Sequence, residues 1–346
     1  MKKELKQILF LTGGLVLILL IAALHVVFGP VRWEGPKKTI EVRQGEGARA
    51  VAARLKEAGV IKSAAAFRRL ARLSGTDKKI KVGAYSFISG ISLYGVMKHM
   101  ASPKAGVVTL FVPEGATVKK IGGLVQSSLG VDSALFVAYC KSREFVRSQG
   151  VTATSMEGYL FPSSYEFYWK VPPEEVIEKM YAGFTATWKE VTADFPRRDT
   201  LDIVKIVTMA SLIEAETGVD SERVLVSQVF HRRLKLGYPL QCDPTVIYAM
   251  GETRRLLSRE DLKFKSPYNT YVNRGLPPGP ICNVGKAALA AALAPASTKY
   301  LYFVANGDGG HIFSETLDQH NRAIYRLKRE RRLLQAKQGS PLQQNR

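Results

Sequence analysis

In the run IVKIVTMASLIEAETG, residues 203–218, two glutamates are separated by one alanine, and only one of them falls where an acid is costly to keep. Placed on a helix with apolar residues at i, i+3/i+4 and i+7, Ile203, Val207, Ala210 and Glu214 share one face, with Ile206 and Ile213 beside it. Lys205, Thr208 and Glu216 fall on the opposite, polar side. A carboxyl group on a buried face loses hydration, which favours the neutral, proton-donating form that a general acid needs near neutral pH. A buried ion pair with an arginine or lysine from elsewhere in the chain is the alternative, and the helix alone leaves both open.

Other residues suited to chemistry lie in three further segments. EGYLFPSSYEF, beginning at Glu157, places an acid beside closely spaced aromatics. Sugars have flat apolar faces edged with hydroxyls, so this combination suits a glycan, although a buried hairpin would use the same residues. In LQCDPTVIY, Asp243 precedes Pro244 at the start of a helix and is expected to cap it, which leaves Gln241 as the better candidate for a substrate hydrogen bond. In SPYNTYVNRGLPPGPI, prolines restrict a long non-helical loop that can hold Tyr268, Asn269 and Thr270 beside an extended ligand. His311 and His320 are not at metal-ligand spacing with other His or Cys residues, so no metal site is expected, and nothing implies a cofactor. Cys140, Cys242 and Cys282 are too few and too dispersed for a disulfide framework; one bridge, Cys242 to Cys282, is the most that could form, and three small buried thiols fit better.

The elements that must position these residues can be outlined. An amphipathic helix at 174–188 leads into the glutamate helix; another, at 222–236, turns Val226, Val229 and Leu234 inward and His231, Arg232 and Arg233 mostly outward. A short helix at 287–293, a hairpin of 300–304 with 311–314 around NGDGG, a basic helix and a polar tail at 338–346 close the chain. Upstream, a strand, turn, helix, helix order occurs twice, from Thr39 and from Val107, with helix starts at Ser63, at Thr117 and at Asp132 or Ser133. The first copy is similar to the LysM-like glycan-binding module, and a plain folded spacer fits it as well.

At the N-terminus, residues 8–28 form an uncharged, mostly apolar run close to the roughly 20 residues that cross a bilayer core as a helix. It exceeds the roughly 7 to 15 residues of a signal-peptide apolar region, and His25-Val26-Val27-Phe28 is a poor cleavage site, so an uncleaved anchor is expected. Lys2, Lys3 and Lys6 place the N-terminus in the cytoplasm and the remainder outside it. A formal charge of +20 over 346 residues calls for an anionic partner. The anchor turns that reading away from nucleic acid, toward anionic lipid head groups or a charged envelope polymer.

In this order behind one anchor, EGYLFPSSYEF, ASLIEAETG, VFHRRLKLGYPLQCDPTVIY, SPYNTYVNRGLPPGPI and YLYFVANGDGGHIFSETLDQHN resemble the YceG-like, or MltG-type, endolytic murein transglycosylase family. The resemblance spans nearly the whole chain and is specific from Glu157 onward. It implies a single-pass inner-membrane enzyme with a periplasmic catalytic domain. Such an enzyme cuts the β-1,4 bond from N-acetylmuramic acid to N-acetylglucosamine in nascent peptidoglycan without water, leaving 1,6-anhydro ends. It further implies that Glu214, the first glutamate of the motif, is the catalytic acid and then base. By motif position Glu157, Glu216, Gln241, Tyr268, Asn269 and Thr270 would be substrate-binding, and a peptidoglycan synthase complex is suggested as partner through the resemblance alone. A muramidase pairing Glu214 with Asp243 or Glu157, and a non-enzymatic glycan-binding scaffold, are the competing readings.

The expected fold class is α+β. The expected organisation is a cytoplasmic N-terminus (1–7), transmembrane helix (8–28), stalk (29–38), LysM-like module (39–106), catalytic domain (107–337) and flexible tail (338–346).

Overall fold

The computed structural model describes residues 2–35, 37–43, 45–102, 106–195, 200–251 and 256–338. The chain is mixed α+β, with thirteen α-helices and eight short strands among the described residues. It divides into two compact units: Met1–Leu110 with Ser128–Val131 and Glu166–Val171, and Phe111–Ser127 with Asp132–Tyr165 and Pro172–Arg346.

The first unit begins with α1 (Lys2–Phe28), which contains the one stretch among the described residues, Phe10–Phe28, long and apolar enough to cross a membrane. Strand β1 (Pro30–Val31) follows at once and pairs antiparallel with β4 (Ile91–Ser92). Trp33 exchanges two backbone hydrogen bonds with the Ser89 hydroxyl, and Phe28 packs on Tyr94 at 5.5 Å between ring centroids. The segment expected as a stalk is thus bound to the unit that follows it. That unit pairs β2 (Lys37–Val42) antiparallel with β3 (Gly83–Ile88), setting Ile40 opposite Tyr85, and covers them with α2 (Ala48–Glu57), α3 (Ala64–Ser74) and α4 (Leu93–Met100). Alternation along the strands buries Ile40, Val42, Tyr85 and Phe87 against Val51, Leu55, Phe67 and Val96. Ser63 caps α3 as the sequence predicts, its hydroxyl accepting the Ala66 N–H.

The second strand, helix, helix run is β5 (Val107–Val112), α5 (Val118–Leu129) and α6 (Ser133–Lys141), followed after a break at Ser142 by α7 (Arg143–Ser148). Strand β5 pairs with β6 (Ser163–Tyr168). The Thr117 hydroxyl accepts the Lys120 N–H at the start of α5, and of the two candidates at the next helix it is Asp132 that caps, accepting the Leu135 N–H.

The glutamate helix, α9 (Ile203–Glu216), follows α8 (Pro173–Val191). It starts where the Asp202 carboxylate accepts the Lys205 N–H and ends as Thr217 turns extended. Seven consecutive residues from Val207 to Ile213 are buried, so α9 is a core helix packed on several sides and not the two-faced helix expected from its pattern. Around it stand α10 (Asp220–Lys235), α11 (Asp243–Met250) and α12 (Lys286–Leu293). The small residues of KAALAAAL let α12 approach closely. The hairpin of β7 (Tyr302–Ala305) and β8 (His311–Ser314) and the basic helix α13 (Leu317–Gln338) complete the unit. The tail expected from 338 lies, after Gln338 itself, outside the described residues.

Candidate active site

The Glu214 side chain is 4% exposed, and both of its oxygens are engaged. Oε1 accepts a hydrogen bond from Arg223 Nη1 at 2.8 Å, and Oε2 accepts the Gly285 N–H at 2.8 Å. Arg223 stands in the first turns of α10, reached from α9 across a short extended turn, so a nine-residue step in sequence becomes a direct contact. Glu214 is thus both buried and ion-paired, with Arg223 the partner that the helix alone did not reveal. Gly285 is the N-cap of α12, where an unpaired N–H and the positive end of the helix dipole favour a carboxylate.

Arg223 is itself 5% exposed and also donates a hydrogen bond to Asp220 at 3.1 Å and forms a looser ion pair with Glu114 at 3.6 Å. Glu114 belongs to the turn after β5, and its side chain is half exposed. Burial, followed by the negative charge of Glu214, raises its pKa above the ordinary carboxyl value, with Arg223 acting against them. A Cβ on Gly285 would lie 1.9 Å from Glu114 Oε1, so a larger residue there would make the half-exposed Glu114 side chain swing aside.

Glu157, expected at the sugar, is buried instead. Its carboxyl group accepts the Val118 N–H at 2.9 Å, the Asn283 side-chain amide at 3.2 Å and the Tyr248 hydroxyl at 3.4 Å. Burial raises it to about 7, against the pull of the Val118 and Tyr248 hydrogen bonds. The same Asn283 accepts the Leu160 N–H and donates to the Ala116 carbonyl, and its backbone bonds Ala116 and Gly115. Asn283 therefore ties the Glu157 segment to the irregular segment that ends in Gly285. Next to Glu157, Gly158 has φ +87°, and any Cβ there would meet Pro280 at 2.6 Å, so EGYLF can lie directly on the proline loop.

Glu216 is not on a solvated face. It is partly buried against Cys242, Asp243 and Arg233, and burial, then the nearby Asp243, raise it to about 7, with the Cys242 thiol hydrogen bond and Arg233 opposing. Asp243 does not cap α11; its carboxylate accepts the Tyr271 hydroxyl. Gln241 is exposed, with φ +53°, a conformation costly for a residue with a side chain, of order 1–3 kcal/mol. It is held by its N–H to the Thr270 carbonyl and by Arg233 on its Oε1. Asn269 and Thr270, expected to touch the ligand, are buried and spend their polar atoms inside the protein. Asn269 donates to the Leu262 and Phe264 carbonyls, and the Thr270 hydroxyl accepts the Cys242 N–H. They shape the loop. Tyr268 is partly buried, with its ring 5.0 Å from that of Tyr248.

The predicted residues thus fall into three groups: Glu214; Glu157 with Tyr268; and Glu216 with Gln241, Asn269 and Thr270. Arg223, Glu114, Asn283 and Gly285 were not legible as site residues, because each lies in a different sequence segment from Glu214 and only packing unites them. Arg233, read as outward, donates to the Leu240 and Leu301 carbonyls. The three cysteines are buried and unpaired, so no Cys242–Cys282 bridge forms. A groove of about 530 Å³ runs between Val204, Lys205 and Thr208 of α9 and Leu276, Pro277 and Pro278, on the side of the helix away from Glu214.

A family model described as the YceG-like family matches residues 40–326. A Bacillus subtilis protein named endolytic murein transglycosylase is 33% identical over 299 residues, covering 82% of this chain and 83% of that protein. A Streptococcus pneumoniae protein of the same name is 26% identical over 320 residues, covering 83% of this chain and 57% of that longer protein. The crystal structure of a YceG-like protein from Listeria monocytogenes superposes with a TM-score of 0.60 at 31% identity, covering 83% of this chain and 98% of that one.

Proposed function

The chain belongs to the YceG-like family, and on that premise we propose that it is an endolytic lytic transglycosylase acting on peptidoglycan. The observation that carries this reading is the first glutamate of ASLIEAETG, held almost fully buried between Arg223 and the Gly285 N–H in a chain that matches the family over most of its length. The bond cut is the β-1,4 linkage from N-acetylmuramic acid to N-acetylglucosamine. A hydrolase uses two carboxyl groups, one to protonate the leaving oxygen and one to activate water or attack. Here the muramic acid 6-hydroxyl attacks its own anomeric carbon, so no water enters and one acid can serve twice. Glu214 gives a proton to the leaving oxygen; Arg223 and Gly285 then fix the resulting carboxylate so that it can take the 6-hydroxyl proton. Because the nucleophile is already on the substrate, proximity supplies much of the remaining acceleration.

In the same reading residues 8–28 anchor the chain with its N-terminus in the cytoplasm. Residues 39–106 form a LysM-like module near the bilayer, and 107–337 form the catalytic domain outside it. Gln241 and Tyr268, the least buried of the expected contacts, line the glycan. The partners are nascent glycan strands and membrane lipid, with a peptidoglycan synthase complex supplying the strands.

The test is Glu214→Gln in the full-length chain on uncrosslinked glycan, with products weighed by mass spectrometry. Wild type should release 1,6-anhydro ends, and the variant should melt like wild type but release none. Products one water heavier would make the enzyme a hydrolase, normal turnover by the variant would remove Glu214 from the mechanism, and glycan binding without cleavage by either protein would make the chain a scaffold.

A further inference from the structure

Gln241 is exposed, yet its backbone holds φ +53°, a strained state that persists only where the surroundings over-determine it. They do so from three sides. The Gln241 N–H goes to the Thr270 carbonyl at 3.1 Å, and the next N–H, of Cys242, to the Thr270 hydroxyl at 3.0 Å. Arg233 holds the preceding carbonyl, of Leu240, at 2.8 Å, and from the same Nη1 donates to Gln241 Oε1 at 3.3 Å. Cys242 is hydrogen-bonded to Glu216, in the last turn of α9, the turn that also carries Glu214. Arg233 further decides which end of the amide is free. A guanidinium has donors only, so the amide oxygen faces it and the NH2 group is left for a ligand. A freely turning glutamine can offer either end to a sugar hydroxyl; one held in this way presents donors.

We propose that Gln241 is a specificity-determining residue: with its Oε1 fixed by Arg233, it donates its side-chain N–H to an amide carbonyl oxygen of the glycan strand. This role rests on the transglycosylase reading, in which Gln241 lines the glycan. Amide carbonyls are the strong neutral acceptors of such a strand, and they occur in its N-acetyl groups and in its stem peptides. An N-deacetylated sugar presents an ammonium group instead, a donor facing a donor, and is disfavoured where an acetamide was read. Arg233 is a positioning residue in this arrangement, since it acts on the ligand only through Gln241.

The experiment reads binding apart from cleavage. Full-length protein in detergent, carrying Glu214→Gln so that glycan is not cut, is compared with the same protein bearing Gln241→Glu or Gln241→Ala. Both substitutions fall on an exposed side chain and leave the backbone N–H to Thr270 in place. The probes are three uncrosslinked glycans: intact, N-deacetylated with its stem peptides retained, and stripped of stem peptides with its N-acetyl groups retained. Gln241→Glu, of the same size but without the donor, should raise Kd for intact glycan by about 10-fold, and Gln241→Ala should raise it as well. The loss should vanish on one modified glycan and persist on the other: on the N-deacetylated strand if the carbonyl is an acetamide, on the stripped strand if it belongs to a stem peptide. With Glu214 restored, Gln241→Glu should raise KM on intact glycan and leave kcat within about 3-fold. An unchanged Kd in either variant, an equal loss on all three glycans, or a fall in kcat with KM unmoved would overturn the proposal. Product mass in the wild type decides separately between transglycosylase and hydrolase, and the Kd ratios need no turnover.

Discussion

At the scale of single residues, three glutamates that look alike in sequence differ in where their oxygens go. Those of Glu214 are held by an arginine and a helix N-terminus, those of Glu157 by an amide, a hydroxyl and a backbone N–H, while Glu216 lies beside a thiol and another acid. Glu157 allows a prediction about pH. Its value in the folded chain, about 7, lies above the ordinary 4.5, so between these pH values the native state holds a proton that the unfolded chain has released. The associated stability is complete below about pH 4.5 and is lost as pH rises through 7, by up to about 3 kcal/mol. Glu157→Gln, neutral at every pH and able to keep the same partners, should therefore gain in melting temperature relative to wild type between pH 5 and 8. A difference that stays constant over that range would mean that Glu157 does not bind this proton in the native state.

At the scale of elements, the positions of helices and strands were largely readable, while their faces were less so. The periodicity around 203–218 marks a helix, but its expected polar side is only partly solvated: Lys205 is exposed while Thr208 is buried, as is Ser211, whose hydroxyl accepts the Ile281 N–H. Hydroxyls and small side chains can turn inward when a partner satisfies them, and a pattern of residue types does not reveal the partner. Asn283 matters at this scale because it joins segments near 116, 157 and 283 and so sets the path of the chain to Gly285. Asn283→Ala leaves the Leu160 N–H without an acceptor and removes one donor to Ala116. It should cost about 2–4 kcal/mol in stability, read from denaturant unfolding. It should also lower kcat more than it raises KM, since the Gly285 N–H moves away from Glu214. A variant as stable as wild type would remove Asn283 from this role.

At the scale of the whole molecule, the apolar part of α1 runs directly into the first unit. Strand β1 is paired with β4, and Phe28 rests on Tyr94, so the end of the span and this unit are joined without a free linker. The first unit then sits at the bilayer surface wherever α1 crosses it. If Lys2, Lys3 and Lys6 stay in the cytoplasm, everything after Gly29 is exported. A C-terminal alkaline phosphatase fusion should be active in cells and a C-terminal green fluorescent protein fusion exported by the same route should be dark. The reverse pattern would invert the orientation and move the site away from the wall.

The sequence by itself determined the features that depend on local order: an apolar run long enough to span a membrane, helix starts at Ser63 and Thr117, a loop restricted by prolines, and the motif series that carries the family. It also singled out Glu214, since an acid on an apolar helix face can be read from residue spacing alone. Tertiary structure alone decided which groups meet that acid. Arg223, Glu114 and Gly285 come from three other segments, and the contacts among them depend on how close α9, α10, α12 and the turn after β5 pack, which no local pattern encodes. The same cause turned Glu157, Asn269 and Thr270 inward: their polar atoms find partners within the fold, which residue types alone do not reveal.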